Sequence, residues 1–402
     1  MKQQTHYFFL CYIAYTAFTM DFAIRGAIGP DLITSFHLTN NQLGHVFGNA
    51  FWGFAVGAII SGWLVHIVRL RVLLIGTACV QLLSVLCLIL IPTELSFQTT
   101  YLIIAISVIL MGLSEGFIFG IIHPLIANIY VDEETGKTRI MNHLHSNWPL
   151  FIIIGSVLAE ILNLFQLSWR YKIALLLIAP MIYGVMSIRT TFPNIAYRHS
   201  KKDRTEMIYE VFRPGYLLLL LCFIITATVE LSPQEWITTL MSEKLRVSGL
   251  MFLIFASIIQ LIFRLLGGKL GQLFSPPGLL AIATLFTIAG LYLFSVTETI
   301  AIGLIASIMF GIGVAWYWPT LLAIAADQYP KGRGFVLGLM NAVGFISVAL
   351  SAPFMGQLDD KYGPSAAFRF VGSIAIIALA LLALIAIYYR VTGGYRQVKL
   401  AD

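Results

Sequence analysis

Twelve apolar stretches, most of about twenty residues or more, alternate with short polar segments along this 402-residue chain. They fall at residues 7–29, 44–67, 71–93, 101–129, 141–165, 171–191, 214–236, 248–268, 278–297, 299–327, 334–357 and 366–389. A helix needs about 20 residues to cross a hydrocarbon core of about 30 Å, and it satisfies its own backbone hydrogen bonds while doing so. The pattern therefore predicts an all-α membrane protein of twelve transmembrane helices. The longest polar stretch, 193–213, is too short to build a core of its own. It reads as a cytoplasmic linker between a six-helix bundle over 1–192 and a second over 214–402.

Composition removes the soluble alternatives. The chain is 59% hydrophobic and 11% charged, with a mean hydropathy of +0.87, against about a quarter charged in soluble domains. Its net charge of +6 comes from cations between the spans, which is the pattern of membrane topology and not of a nucleic-acid partner. With the N-terminus in the cytoplasm, one side collects Arg69, Arg71, Lys137, Arg139, the cations of 198–204, Lys269, Lys331, Arg333, Arg390, Arg396 and Lys399. Both termini are then cytoplasmic in a plasma (inner) membrane, with Arg170, Lys172, Lys244, Arg246, Lys361 and Arg369 as exceptions. The first apolar run passes Asp21 and Arg25 with no small-residue cleavage site, so it reads as a retained helix. Cys11, Cys79, Cys87 and Cys222 lie inside apolar stretches without pairing or ligand spacing.

The two halves echo one another. Gly116 and Gly120 precede Pro124 by eight and four residues, and Gly311 and Ala315 precede Pro319 in the same way. Asn147 is followed by Phe151 and Ile152 just as Asn341 is followed by Phe345 and Ile346. Such correspondence indicates a parallel duplication.

Charge inside a span is costly, about 2.5–3.5 kcal/mol on insertion scales, so such residues are functional candidates. Asp21 and Arg25 stand four apart on one helix face, within pairing reach. They form either a neutralised structural pair or a switch in which protonation of Asp21 frees Arg25. Glu115 and Glu230 have no cation close in sequence. Asp21, Glu115 and Glu230 are the expected proton-coupling acids, with Glu230 nearer the outer end of its span and Glu160 interfacial. His123, His143 and His145 carry no His-Glu-x-x-His pattern and no accompanying cysteine, so they read as structural or cavity-lining groups and no metal is expected. Trp316, Tyr317 and Trp318 lie deep in span ten, where aromatic faces suit either a bulky organic solute or simple core packing. Asn49, Trp52, Gln81, Asn147, Trp148, Gln260 and Asn341 could line a cavity or bridge helices. Arg264 reads as a snorkelling or salt-bridging residue.

The two six-helix halves and their basic linker resemble the major facilitator superfamily. Gly62-Trp-Leu-Val-His66-Ile-Val-Arg69-Leu-Arg71 retains the glycine and last cation of its loop motif between spans two and three, with His66 in place of the acid. A closer likeness is to the fucose/proton symporter branch, through Phe36-His-Leu38-Thr39-Asn40-Asn-Gln42, Asn49-Ala-Phe51, His123-Pro124, and Arg264-x-x-Gly267 followed by Phe274-x-Pro276. In that alignment the coupling acids of the branch fall on Gly26 and Phe119, so neither is retained, but Asp21 and Glu115 stand about a helical turn earlier. His145 matches a glutamine near the branch's sugar cavity.

The resemblance implies a monomeric secondary-active transporter working by alternating access. No Gly-x-x-x-x-Gly-Lys-Ser/Thr loop occurs, so the expected energy source is a proton gradient and no cofactor is needed. The expected cargo is a small polar organic solute, sugar-like or a related metabolite, bound through Arg25, Asn49, Trp52, His123, His145, Asn147, Trp148, Trp316, Tyr317 and Asn341. Two alternatives stand beside it: a proton-driven exporter of an organic anion, siderophore or drug, and a non-transporting sensor on the same fold. An enzyme would need a nucleophile or metal constellation, and none is evident.

Overall fold

A computed structural model describes residues 2–65, 67–92, 95–129, 144–192, 207–270, 274–396 and 398. His66, Lys137, Arg139, His143, the cations of 198–204 and Lys399 lie outside the described residues, as do the side chains of Pro124, Lys269 and Arg333. The chain divides into two compact units, Met1–Tyr197 and Arg198–Asp402.

The first unit contains α1 (Lys2–Phe36), α2 (Asn40–Leu64), α3 (Leu70–Ile89), α4 (Phe97–Ile129) and α5 (Asn147–Leu164), then α6 (Trp169–Ala174), which passes through a 3-10 turn into α7 (Ile178–Arg189). The second contains α8 (Pro214–Leu245), α9 (Leu250–Leu270), α10 (Pro276–Val296), α11 (Ile300–Val314), α12 (Tyr317–Gln328), α13 (Arg333–Tyr362) and α14 (Pro364–Val391). Among the described residues eleven spans are long and apolar enough to cross a membrane, and Leu250–Leu266 adds a shorter apolar helix. The protein is an all-α, multi-span membrane protein.

Local chemistry sets several boundaries. Thr39 and Gln42 form a reciprocal capping box that starts α2, satisfying amide groups that the helix itself leaves open. Ser275 and Thr299 cap α10 and α11 in the same spirit. Arg246, at φ 57°, stops α8 in the left-handed region.

The repeated small residues have a shared use. Gly112 and Gly116 of α4 lie directly on the backbone at Ala50 and Phe54 of α2, where a Cβ would clash. Gly311 of α11 meets the backbone of Ala256 on α9 in the corresponding place. Lipid gives helices no hydrophobic reason to associate, so close backbone approach supplies the van der Waals contact instead.

Three predicted spans need correction. The first helix extends to residues 2–36, beyond the expected 7–29. Helix α8 continues to Leu245, past the expected end at 236, because its polar residues from Glu230 to Thr239 are buried inside the unit. Span ten is two helices, broken at Ala315 and Trp316.

Cations that run against the sidedness pattern are held by specific partners. Lys172 is 2% exposed and pairs with Asp31 at 2.6 Å. Arg170 donates to the Ile91 carbonyl at 2.7 Å and lies over the Trp169 ring. Lys244 donates to the Ser295 carbonyl and to Ser365 Oγ.

Candidate functional site

In the first unit the Asp21–Arg25 pair forms as the spacing predicts, with the two side chains 1% and 3% exposed. It sits in an apolar cavity whose walls include Ile24 of α1, Val46 of α2, Leu88 of α3, Met111 of α4 and Ile173 of α6. The Arg25 guanidinium lies 5.2 Å from the Phe51 ring centroid. Asp21 Oδ1 is buried without a hydrogen-bond partner. Apolar walls around a paired charge favour the neutralised structural pair over solute binding by Arg25, because a buried pair is costly to open.

Glu115 of α4 is 1% exposed. It is electrostatically close to Tyr183 of α7, whose phenol donates to Gln81 Oε1 of α3 at 3.1 Å.

A ring cluster brings together two residues singled out from sequence. His123 and His145 have centroids 5.2 Å apart, with Tyr15 at 6.1 Å from His123 and 6.0 Å from His145. Phe119 packs against His123 in a tilted arrangement, with ring centroids 3.9 Å apart. The Phe119 carbonyl can only accept, so His123 Nδ1, at 2.9 Å from it, carries the proton, and Nε2 is the basic nitrogen. Tyr15 was not legible as a site residue, since nothing in its sequence neighbourhood marks it.

Asn147 and Trp148 turn inward. Thr19 Oγ1 donates to Asn147 Oδ1 at 2.8 Å, while Asn147 Nδ2 donates to Tyr12 O at 3.2 Å and Thr16 Oγ1 at 2.9 Å. The amide is thus occupied in tying α5 to α1. Trp148 packs between Phe18 and Phe22, at 5.1 and 4.9 Å. Asn49 is half-buried. Trp52 is 40% exposed on the same α2 stripe as Val56, Ile59, Ile60 and Trp63, an outward apolar face away from these clusters.

The second unit holds a denser polar network. Glu230 lies in the middle of α8, not near its end as expected, and is 1% exposed. Gln260 Nε2 of α9 donates to Glu230 Oε1 at 2.9 Å, and Arg264 Nη2 approaches the same oxygen at 3.4 Å. Arg264 Nε also donates to the Ala315 carbonyl at 3.0 Å, a carbonyl at the break between α11 and α12. The next two residues are expected site aromatics. Trp316 Nε1 donates to the Phe263 carbonyl at 3.1 Å, and the Tyr317 phenol donates to Thr287 Oγ1 at 2.8 Å. Trp318 Nε1 donates to Asn341 Oδ1 at 3.0 Å, and its ring is packed by Phe223 and Phe345 at 4.6 and 5.1 Å. The two matching asparagines therefore serve different partners. One grips a neighbouring helix, while the other orients an indole.

Among the described residues no group of three or more His, Cys, Asp or Glu could hold a metal ion.

Long apolar helices, buried mid-span acids and a broken helix beside one of them define a polytopic membrane transporter. The model of the Major Facilitator Superfamily matches residues 10–270 and again 239–399; the chain belongs to that superfamily, whose members are transporters and not enzymes. It is similar to the protein described as "Protein TsgA homolog" of Buchnera aphidicola subsp. Baizongia pistaciae (strain Bp), 19% identical over 85% of each chain. Among solved structures it resembles a D-xylose-proton symporter, with a TM-score of 0.80 and 13% identity, covering 94% of this chain and 97% of that one. The nucleoside transporter NupG (D323A mutant) gives 0.74 and 9%, over 95% and 99%. A POT family transporter in complex with 5-aminolevulinic acid gives 0.76 and 11%, over 96% of each. These likenesses establish the fold.

Proposed function

We propose that this protein is a proton-coupled secondary transporter that moves a small polar organic solute, sugar-like or a related metabolite, across the plasma (inner) membrane by alternating access. The observation that carries the reading is Glu230. A buried carboxylate faces a guanidinium that also holds the backbone at a helix break, so protonation of one acid bears on the shape of a membrane-spanning segment. Moving an uncompensated carboxylate through a dry intermediate is costly, and a proton removes that cost. Glu115 stands behind Glu230 as a second coupling acid, while the Asp21–Arg25 pair belongs to structure in this reading. The proposed solute contacts are the His123 and His145 rings, Trp316, Tyr317 and Asn341, with Trp318 added through its bond to Asn341. Asn147 and Trp148 belong to packing in this reading. The symporter and nucleoside-transporter likenesses support a polar solute, and the fucose-branch resemblance supports a sugar-like one. A proposed linker at 193–213 joins the units, both termini are cytoplasmic, and the protein acts as a monomer.

The test begins with a thermal-shift screen of sugars, nucleosides and organic acids on the purified protein at two pH values. The hit is then followed in proteoliposomes. Glu230→Gln is expected to abolish uptake driven by a pH gradient while sparing solute counterflow. Undiminished pH-driven uptake in that variant removes Glu230 from the coupling role.

A further inference from the structure

The polar network around Glu230 contains two buried acceptors that no donor reaches. Gln234 follows Glu230 by one helical turn on α8, and both residues engage Gln260 of α9. Gln234 Nε2 donates to Gln260 Oε1 at 3.1 Å, and Gln260 Nε2 donates to Glu230 Oε1 at 2.9 Å. The Arg264 guanidinium points at that same oxygen. The Gln260 and Arg264 donors thus meet at Glu230 Oε1 and the Gln234 donor is spent on Gln260, while Glu230 Oε2 and Gln234 Oε1 are buried with no hydrogen-bond partner. Exposure of Glu230, Gln234 and Gln260 is 1%, 1% and 0%, and orphaned acceptors at that depth are unfavourable.

One hydrogen resolves both defects. A proton on Glu230 Oε2 turns that oxygen into a donor, and the missing acceptor is the Gln234 carbonyl oxygen on the neighbouring turn. We propose that Glu230, Gln234 and Gln260 form a proton-binding seat: a three-membered hydrogen-bonded ring that a single proton closes. Gln234 is its positioning residue. The inference rests on the proposed function, in assigning the transported proton to Glu230, and adds the residues that receive it.

The charges favour a proton over a metal cation. Arg264 of α9 and the Tyr317 phenol of α12 are the charged and titratable groups that face Glu230; no group of α13 or α14 enters its electrostatics among the described residues. A sodium ion would add a second fixed cation beside a guanidinium at 3.4 Å. A proton instead forms an O–H bond at Oε2 and cancels the carboxylate's charge. The ion pair to Arg264 is discharged in the same step. Because Arg264 also holds the Ala315 carbonyl, proton binding is linked to the α11–α12 break.

The experiment is an infrared pH titration of the full-length protein in lipid, following the carbonyl band of the protonated carboxyl, assigned by its loss in Glu230→Gln. Gln234→Met is isosteric but offers no carbonyl acceptor. It should lower proton affinity about tenfold, roughly one pH unit, as one lost hydrogen bond would. Arg264→Met should shift the titration the opposite way, which a purely structural role would not do. If Gln234→Met fails to fold, Gln234→Asn is read in the same manner, since its shorter amide cannot span both neighbours. An unchanged midpoint and band position in the Gln234 variant overturns the ring. Loss of the wild-type band on adding sodium at fixed pH overturns it in favour of a sodium site. Retained pH-driven uptake in Glu230→Gln would defeat the functional reading while leaving the infrared ring intact; lost uptake with an unmoved Gln234 titration would do the reverse.

Discussion

Replacing Asn147 with valine removes the three hydrogen bonds by which α5 holds α1. Interhelical hydrogen bonds in membranes average about 0.6 kcal/mol, so the loss is roughly 2 kcal/mol. No further penalty arises from stranded hydroxyls. Thr19 Oγ1 has the Tyr15 and Thr16 carbonyls within 3.4 and 3.3 Å, and Thr16 Oγ1 already donates to the Tyr12 carbonyl at 2.9 Å. At about 2–4 °C per kcal/mol for a unit of this size, the midpoint of thermal unfolding should fall by about 4–8 °C. Asn341→Val loses one interhelical bond, from Trp318, and should cost about 0.6 kcal/mol or about 1–2 °C. The functional effects should be opposite: solute affinity unchanged in the first variant and reduced in the second, whose indole is no longer oriented. Circular dichroism melts in detergent and a binding isotherm for each variant supply the comparison. Equal melting shifts, or lost affinity in Asn147→Val with its stability intact, would refute the division of roles.

Arg25→Met should destabilise the protein by about 3–5 kcal/mol by leaving Asp21 unpaired among apolar walls, and the double variant with Asp21→Asn should recover most of that loss; chemical denaturation of the single and double variants checks it. Gly112→Val drives a branched side chain into the Ala50 backbone, for which overpacking predicts a loss of about 1–3 kcal/mol or more, seen as lower folded yield and melting temperature. At the C-terminal tail the Tyr395 phenol donates to Asp327 Oδ2 at 2.8 Å, and burial, then that hydrogen bond, push the phenol above the ordinary tyrosine range. The folded state thus holds a proton that the unfolded chain gives up near pH 10. The tail contact should be complete below about pH 10 and weaken above it, and Tyr395→Phe should remove that alkaline dependence from amide exchange over residues 391–398.

The spans were legible because lipid imposes a length and a hydropathy on every crossing helix. What escaped was set by contacts between segments distant in sequence. Helix α8 outran its expected end because buried polar residues depress hydropathy as a loop would. Glu230 looked cation-free because Arg264 reaches it from another helix, and the α11–α12 break hides inside an unbroken apolar run. The Asp21–Arg25 pair, by contrast, could be read from i,i+4 spacing alone, though not the cavity that favours a structural role. Residue type singled out Asn147 and Asn341 equally; only their hydrogen-bond partners separate them. Gln234 carried a usable signal in standing one turn from Glu230, and Trp52 shows the limit of residue type, since a tryptophan fits an outward apolar stripe as well as a cavity.

Proton movement accompanying solute entry is the most direct measure of the central claim. Proteoliposomes loaded with a pH-sensitive dye, given a solute that binds the protein, should acidify inside as solute enters through the wild type and should not acidify with Glu230→Gln. Solute entry through the wild type with no change in internal pH would contradict the account.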